Sequence, residues 1–309
     1  NDHPDIFWIK NTFSYYDYDG STYVELFYIS SGTTLETQKE KFNEALNDFV
    51  NNATMYSSEY EREKYVNDYI ISNCVYDDEA AYNNNTKGNV STAYGVLVDG
   101  KAICEGYARA FQLLCNKLGI ECVSIAGMTD DVGHEWNCAK IGGNWYQVDV
   151  TWNDSQDDFS NYYYFNLTDE QMYSSHRADD LFDEIEPDNY NNDENLIGNL
   201  YVPECNSTEY NYYNQTAPIL YAFDEENDNT ISNALANSAV NGDNYFNIIV
   251  DDSLDFEDAY STLVQDGYVV NYIESANNML WGEVELDTSS YAYKNDTLRV
   301  ITIVLNYIN

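Results

Sequence analysis

Two periods of apolar residues run along this chain, and the changes between them mark its elements. Alternation comes first. Phe7 to Asp17 and Thr22 to Ile29 read as strands, and Tyr18-Asp-Gly-Ser21 between them carries the Asp-Gly hairpin signal. A helical period follows. Thr33-Thr-Leu-Glu36 reads as a capping box, and Leu35, Phe42, Leu46 and Phe49 or Val50 share one face of a helix reaching about Val50. Ser58-Glu-Tyr-Glu61 is a second capping box, and its helix, to about Asn73, buries Tyr65, Tyr69 and Ile70, with Val66. Asp77 to Val90 is polar and rich in Asn, a loop that could border a substrate groove or lie plainly on the surface.

A turn at Gly100 then feeds a third helix. From Cys104 the apolar stripe runs through Tyr107, Ala108, Phe111, Leu114, Cys115 and Leu118, and Gly119 stops it. Glu121 to Met128 is a strand. Gly133 to Ile141 and Asn144 to Trp152 flank Gly142-Gly143, a tight hairpin. Asn153 to Ser160 is turn-like, and Tyr162 to Phe165 reads as a strand that completes a small antiparallel sheet. Glu184 to Asn195, polar and holding Pro187, is the best boundary. Beyond it come strand Ile219 to Phe223, helix Thr230 to Val240, strand Tyr245 to Val250 and helix Phe256 to Gln265. Strands Tyr268 to Ile273, Leu280 to Leu286 and Leu298 to Ile308 close an order of the ferredoxin-like kind. The expected class is α+β in three parts: a hairpin and helix over 1–57, a core over 58–185, and an α+β module over 186–309.

The chemistry gathers in the core. A cysteine at a helix N-terminus faces unpaired N–H groups and the positive end of the dipole, and both favour thiolate. A free thiol of pKa about 8.5 is only about 3% ionised at neutral pH, and a drop of roughly two units makes it mostly thiolate. Cys104 holds that position; the bland alternative is a small core residue. In a two-residue hairpin, Ile141 pairs with Asn144 and Trp136 lies opposite Asp149. His134, two residues from Trp136 on the same face, is then a diagonal neighbour of Asp149, roughly 7–8 Å away along the backbone. A bulge would bring them opposite. A thiol nucleophile needs a base, and the base needs a group that fixes its tautomer. Cys104, His134 and Asp149 supply the set, in a chain with three histidines. His176 reads as structural. Tyr94, Trp136 and Trp152 are candidates for an oxyanion hole or a groove wall. Glu105 would raise the thiol pKa if aimed at the sulfur, so it is expected to point away.

Val98-Asp-Gly-Lys-Ala-Ile-Cys-Glu-Gly-Tyr-Ala-Arg-Ala-Phe111, Gly133-His-Glu-Trp-Asn137 and Trp145-Tyr-Gln-Val-Asp-Val-Thr-Trp152 resemble the transglutaminase-like superfamily, above all its bacterial members. The resemblance covers about residues 58–180. It implies a papain-like core with a catalytic helix packed on an antiparallel sheet, and roles for Cys104 as nucleophile, His134 as base and Asp149 as orienter. The implied activity is cysteine-dependent hydrolysis or acyl transfer at an amide or peptide bond. Cross-linking with an amine acceptor and a catalytically silent cell-surface binding module are the alternatives. The implied partner is a protein or peptide substrate, of the cell surface or cell wall, and the implied location is extracellular, with a leader once preceding Asn1. No cofactor is implied.

Composition narrows the partners. Lys and Arg number 13 against 54 Asp and Glu, a formal charge of −41. That argues against nucleic acid and against docking on anionic membranes. No apolar run is long enough to span a membrane. Six cysteines do not read as three disulfides, because a free Cys104 leaves five. Cys122 and Cys138, on neighbouring strands, could pair or simply pack; Cys74 and Cys205 are isolated. No cysteine spacing suggests zinc, and Asp17-Tyr-Asp19-Gly20 lacks the closing ligands of a calcium loop.

Overall fold

A computed structural model describes residues 3–83, 88–155, 157–178, 202–282 and 284–308. The chain divides into two compact units: Asn1–Gln156 with Tyr164–Ser207, and Asp157–Tyr163 with Thr208–Asn309. The expected linker over 184–195 lies outside the described residues.

The first unit opens with a hairpin of β1 (Ile9–Tyr18) and β2 (Ser21–Tyr28). Asp19 and Gly20 turn it at φ 52° and 71°, the left-handed pair that a two-residue loop needs. Helix α1 (Gly32–Ala53) buries Phe42, Leu46, Phe49 and Ala53. It starts after Ser31, so Thr33 already lies inside it and the box expected at Thr33–Glu36 does not form. The second box does form. Ser58 Oγ accepts the Glu61 N–H at 3.1 Å, and Glu61 Oε2 accepts the Ser58 N–H at 3.0 Å, opening α2 (Glu59–Asn73). This helix buries Glu63, Val66, Asn67 and Ile70. Tyr65 and Tyr69 are only half-buried, because they pack on Phe49 at the side of the core.

Strand β3 (Val75–Tyr76) runs parallel to β4 (Lys101–Ala102). Between them α3 (Asp78–Tyr82) interrupts the expected loop, capped by Asp77 Oδ1 on the Ala80 N–H at 3.0 Å. Helix α4 (Cys104–Lys117) follows, then β5 (Cys122–Thr129), β6 (Val132–Ile141), β7 (Asn144–Val148), α5 (Val150–Asn153), α6 (Asp169–Met172) and β8 (His176–Ala178). The sheet order is β7-β6-β5-β8, all antiparallel. Tyr162–Phe165 is not the fourth strand. The Asp149 N–H donates to the Tyr164 carbonyl and the Tyr164 N–H donates to Asn153 Oδ1, both at 2.9 Å, so this segment folds against the end of β7 and the start of α5, and β8, on the far edge beside β5, is the fourth strand. Tyr107, Ala108, Phe111, Leu114 and Cys115 of α4 are fully buried. Buried amides fix the height of α4 on the sheet: Asn137 donates to the Ala108 carbonyl at 3.0 Å, and Gln112 to that of Cys122 at 3.3 Å.

The second unit holds α7 (Tyr212–Thr216), β9 (Ile219–Leu220), α8 (Glu225–Asn241), β10 (Tyr245–Val250), α9 (Phe256–Tyr260), α10 (Val269–Leu280), β11 (Ala292–Asn295) and β12 (Val300–Val304). Its sheet order is β11-β12-β10-β9, with β9 parallel to β10 and the other pairs antiparallel. The first half is therefore a βαβ unit, and the ferredoxin-like order is not formed. The strand expected at Tyr268–Ile273 gives way to α10, and the described residues of Leu280–Leu286 beyond its end form only an isolated bridge, Leu286 with Tyr307. Val269, Tyr272, Ile273, Ala276 and Leu280 are all buried, at helical spacing. Their β-branched and aromatic side chains favour strand locally, and burial against Ile231, Leu235, Ile248 and Ile301 in one core overrides that. Both units are mixtures of helix and sheet, as the class predicts.

One buried acid makes this fold sensitive to pH. Glu63 is fully buried and accepts a 2.7 Å hydrogen bond from Asn166. Burial pushes its pKa up to about 8 against that hydrogen bond. The unfolded chain releases the proton near pH 4.3, whereas the folded chain keeps it to about 8, so stability falls as pH rises through that window. Glu135, pushed up to about 7 mainly by burial, acts in the same direction. Urea unfolding from about pH 5 to pH 8 is expected to show this loss in the wild type. Glu63→Gln should reduce it, by on the order of 1.4 kcal/mol per pH unit of the window. An equal loss in the variant would assign the pH dependence elsewhere.

Candidate active site

Cys104 is the first residue of α4, and no side chain caps the helix there. It is partly exposed, whereas the other five cysteines are buried. The helix start is pressed tightly into place. A Cβ on Gly106 would lie 2.6 Å from the Val90 carbonyl oxygen and 2.8 Å from Ala102 Cβ, so only glycine fits. Glu105 points away from the sulfur, with its carboxylate 2.6 Å from Arg109 Nη2, while Arg109 Nη1 donates to the Ser91 carbonyl at 3.1 Å. Glu105 and Arg109 line a cleft of about 410 Å³, with Ile9, Ile29, Gly88 and Thr92 around them. Of the expected 77–90 loop Gly88 takes part in this lining, and Cys104 does not.

Ile141 pairs with Asn144, and the register runs to Asn137 opposite Val148. Asp149 comes next. It leaves the strand as the N-cap of α5, where its Oδ1 accepts the N–H groups of Thr151 at 2.9 Å and Trp152 at 3.1 Å. The cap turns the carboxylate, and no bulge is needed to bring Oδ2 within 2.6 Å of His134 Nε2. With Nε2 engaged there, Nδ1 is the ring nitrogen left for Cys104, which interacts with the imidazole. Burial disfavours the His134 imidazolium, but the charge and hydrogen bond of Asp149, with Cys104 beside it, outweigh this and raise its pKa to about 10. Burial likewise opposes the Asp149 carboxylate. His134 and then His176 overcome it and hold the carboxyl near 2.

His176, read from the sequence as structural, joins the same carboxylate. Its Nε2 lies 2.9 Å from the same Asp149 Oδ2, and its Nδ1 lies 2.8 Å from Ser175 Oγ. It is one of only three histidines in the chain. Among the described residues His134, Asp149 and His176 are the group whose metal-capable atoms all lie within 4.8 Å of one another. Both Nε2 atoms already meet one carboxylate oxygen, so a hydrogen-bond network accounts for the set.

The other residues singled out by sequence separate. Tyr94 is buried against Phe7 and Phe42, and Trp136 is fully buried with its Nε1 on Gln147 Oε1 at 2.7 Å. Neither can wall a groove, because each is closed into the core. Trp152 is half-buried, with ring centroids 6.0 Å from His134 and 4.6 Å from His176. Tyr76 is the residue the sequence did not mark. Its strand pairs with Ala102, two residues before the cysteine, and its phenol interacts with the backbone N–H and thiol of Cys104. Burial, and then the thiol, push that phenol up to about 12. Cys122 and Cys138 do not pair. Cys122 lies opposite Ala139 and Cys138 opposite Val123, so the two thiols leave opposite faces of the sheet. Cys138 instead meets Cys205, with the sulfurs 3.8 Å apart.

Part of the first unit is similar to known proteins. Residues 47–150 match the Transglutaminase-like superfamily. Kyphoscoliosis peptidase of Mus musculus is 29% identical over 167 residues, which is 50% of this chain and 24% of that protein. Kyphoscoliosis peptidase of Homo sapiens is 26% identical over the same shares. The match thus spans about a quarter of the length of these curated relatives. A crystal structure of a TGase is similar at a TM-score of 0.33 and 17% identity, over 47% of this chain and 45% of that one. Residues 47–150, the segment that carries Cys104, His134 and Asp149, are thus similar to the transglutaminase-like superfamily.

Proposed function

We propose that this protein is a cysteine-dependent enzyme acting on an amide or peptide bond through a thioester, with Cys104 as nucleophile, His134 as base and acid, and Asp149 as orienter. The observation that carries the reading is the 2.6 Å contact of His134 Nε2 with a buried carboxylate, beside a partly exposed cysteine at a helix N-terminus. The Cys104 thiolate attacks the carbonyl carbon, and the C–N bond breaks as His134 gives its proton to the leaving amine. Water then attacks the thioester as His134 takes its proton, the C–S bond breaks, and the carboxylic acid leaves with the Cys104 thiolate and the His134 imidazolium restored. The Cys104 N–H and the Tyr76 hydroxyl are the donors we assign to the oxyanion. The name of the curated relatives, a peptidase, favours water over an amine as acceptor. The location we favour is extracellular, and the substrate a protein or peptide of the cell surface or wall. Among the described residues no helix is long and apolar enough to cross a membrane.

Iodoacetamide alkylation of Cys104 should proceed below about pH 7 in the wild type, and His134→Ala should remove that reactivity. A profile that follows an ordinary thiol would defeat the assignment. With a glutamine peptide and a labelled primary amine, release of ammonia without label uptake identifies a hydrolase, and label uptake identifies a cross-linker. Cys104→Ala should abolish either one. A chain that turns over no peptide and whose Cys104 resists alkylation is a binding module instead. Tyr76→Phe should lower kcat by about 100-fold and leave the alkylation rate, which needs no oxyanion, nearly unchanged.

A further inference from the structure

Asp149 Oδ2 is shared by two imidazoles, and a base–orienter pair needs only one of them. His176 has a side-chain exposure of 0%, as has Asp149. Trp136, Trp152 and Tyr164 surround its ring at centroid distances of 5.1, 4.6 and 5.6 Å. Both of its nitrogens are engaged. With the Nε2 hydrogen directed at the carboxylate, Nδ1 accepts from the Ser175 hydroxyl. Asp149 then has two backbone donors on Oδ1 and two ring donors on Oδ2. His176 reaches this place by tertiary contact alone, since β8 brings it in by pairing with β5 at Thr129.

We propose that His176 is a positioning residue: it keeps Asp149 ionised and turned toward His134, so that His134 can hold its proton beside Cys104 under acidic conditions. This rests on the assignment of Cys104 and His134 above. A hydrogen bond to a carboxylate favours its charged form, and a buried lone pair without a donor favours the protonated form. Loss of the His176 donor therefore lets Asp149 take a proton at a higher pH. The imidazolium then loses its countercharge and the thiolate loses its partner. The titratable groups facing this cluster are His134 on β6, Cys104 on α4, and Tyr164, whose phenol interacts with Ser175 and with the Asp149 charge. Tyr76 faces Cys104 from β3.

The test is the pH profile of Cys104 alkylation by iodoacetamide in the full chain, for the wild type, His134→Ala, His176→Phe, His176→Gln and His176→Asn. The Gln amide nitrogen falls where Nε2 stood and restores the donor to Asp149. The Asn amide is shorter and reaches only toward Ser175. We expect the acid limb to move up by about one pH unit in His176→Phe and His176→Asn, and to stay in place in His176→Gln. If His176→Phe does not fold, as judged by near-ultraviolet circular dichroism, the Asn–Gln contrast carries the result. Unmoved limbs in Phe and Asn, with the limb still lost in His134→Ala, overturn the role of His176 and leave the proposed enzyme standing. A Gln variant that behaves like Phe overturns it as well, because the donor is then not what matters. A wild type with no acid limb overturns the nucleophile assignment, and this proposal with it.

Discussion

The first unit depends on one buried carboxylate. Asp149 is withdrawn from water, and an isolated charge there would cost several kcal/mol. It is tolerated because four N–H groups surround it, two from the α5 backbone and two from imidazoles on β6 and β8. Those donors also tie together the end of β7, the first turn of α5 and both outer parts of the sheet. The network that permits the charge is therefore the network that orients His134. Structure and chemistry cannot be separated at this position.

Cys104 is placed by a different set of contacts. Helix α4 is held on the sheet by Asn137 and Gln112, whose amides reach backbone carbonyls. At its start, Arg109 joins Glu105 to the Ser91 carbonyl, and Gly106 lets the helix press against β4 and the backbone at Val90. A second buried polar chain runs from Asn153 to Asn67 at 3.0 Å, and Asn166 meets Glu63 on the same helix, α2. Buried polar groups with made partners are directional, unlike apolar packing. They fix the height and rotation of α4 and so the location of the Cys104 sulfur.

The second unit has another character. Its sequence contains no histidine, and its interior is an apolar core of α8 and α10 against a mixed sheet. Arg299 is its main polar tie. The side chain donates to the carbonyls of Val250, Asp251 and Leu254 and fastens the end of β10. Such a contact stabilises a fold and brings no reacting group.

Much of the first unit was legible in the sequence. The Ser58 box, the α4 stripe, the Gly119 stop and the Ile141–Asn144 register are set by residues a few positions apart, and period and turn chemistry report such relations directly. The same local signals misplaced Tyr268–Ile273, because β-branched and aromatic residues favour strand until burial on one helical face decides otherwise. By itself the sequence determined which chemical groups are present and which lie near one another along an element: a cysteine opening a helix, and a histidine and an aspartate on one hairpin. Tertiary structure alone decided that Asp149 Oδ2 meets His176, 27 residues away, that Tyr76 faces Cys104, and that Trp136 and Tyr94 are closed into the core. Those contacts join separate elements, and their geometry follows from how the elements pack, which no local period encodes.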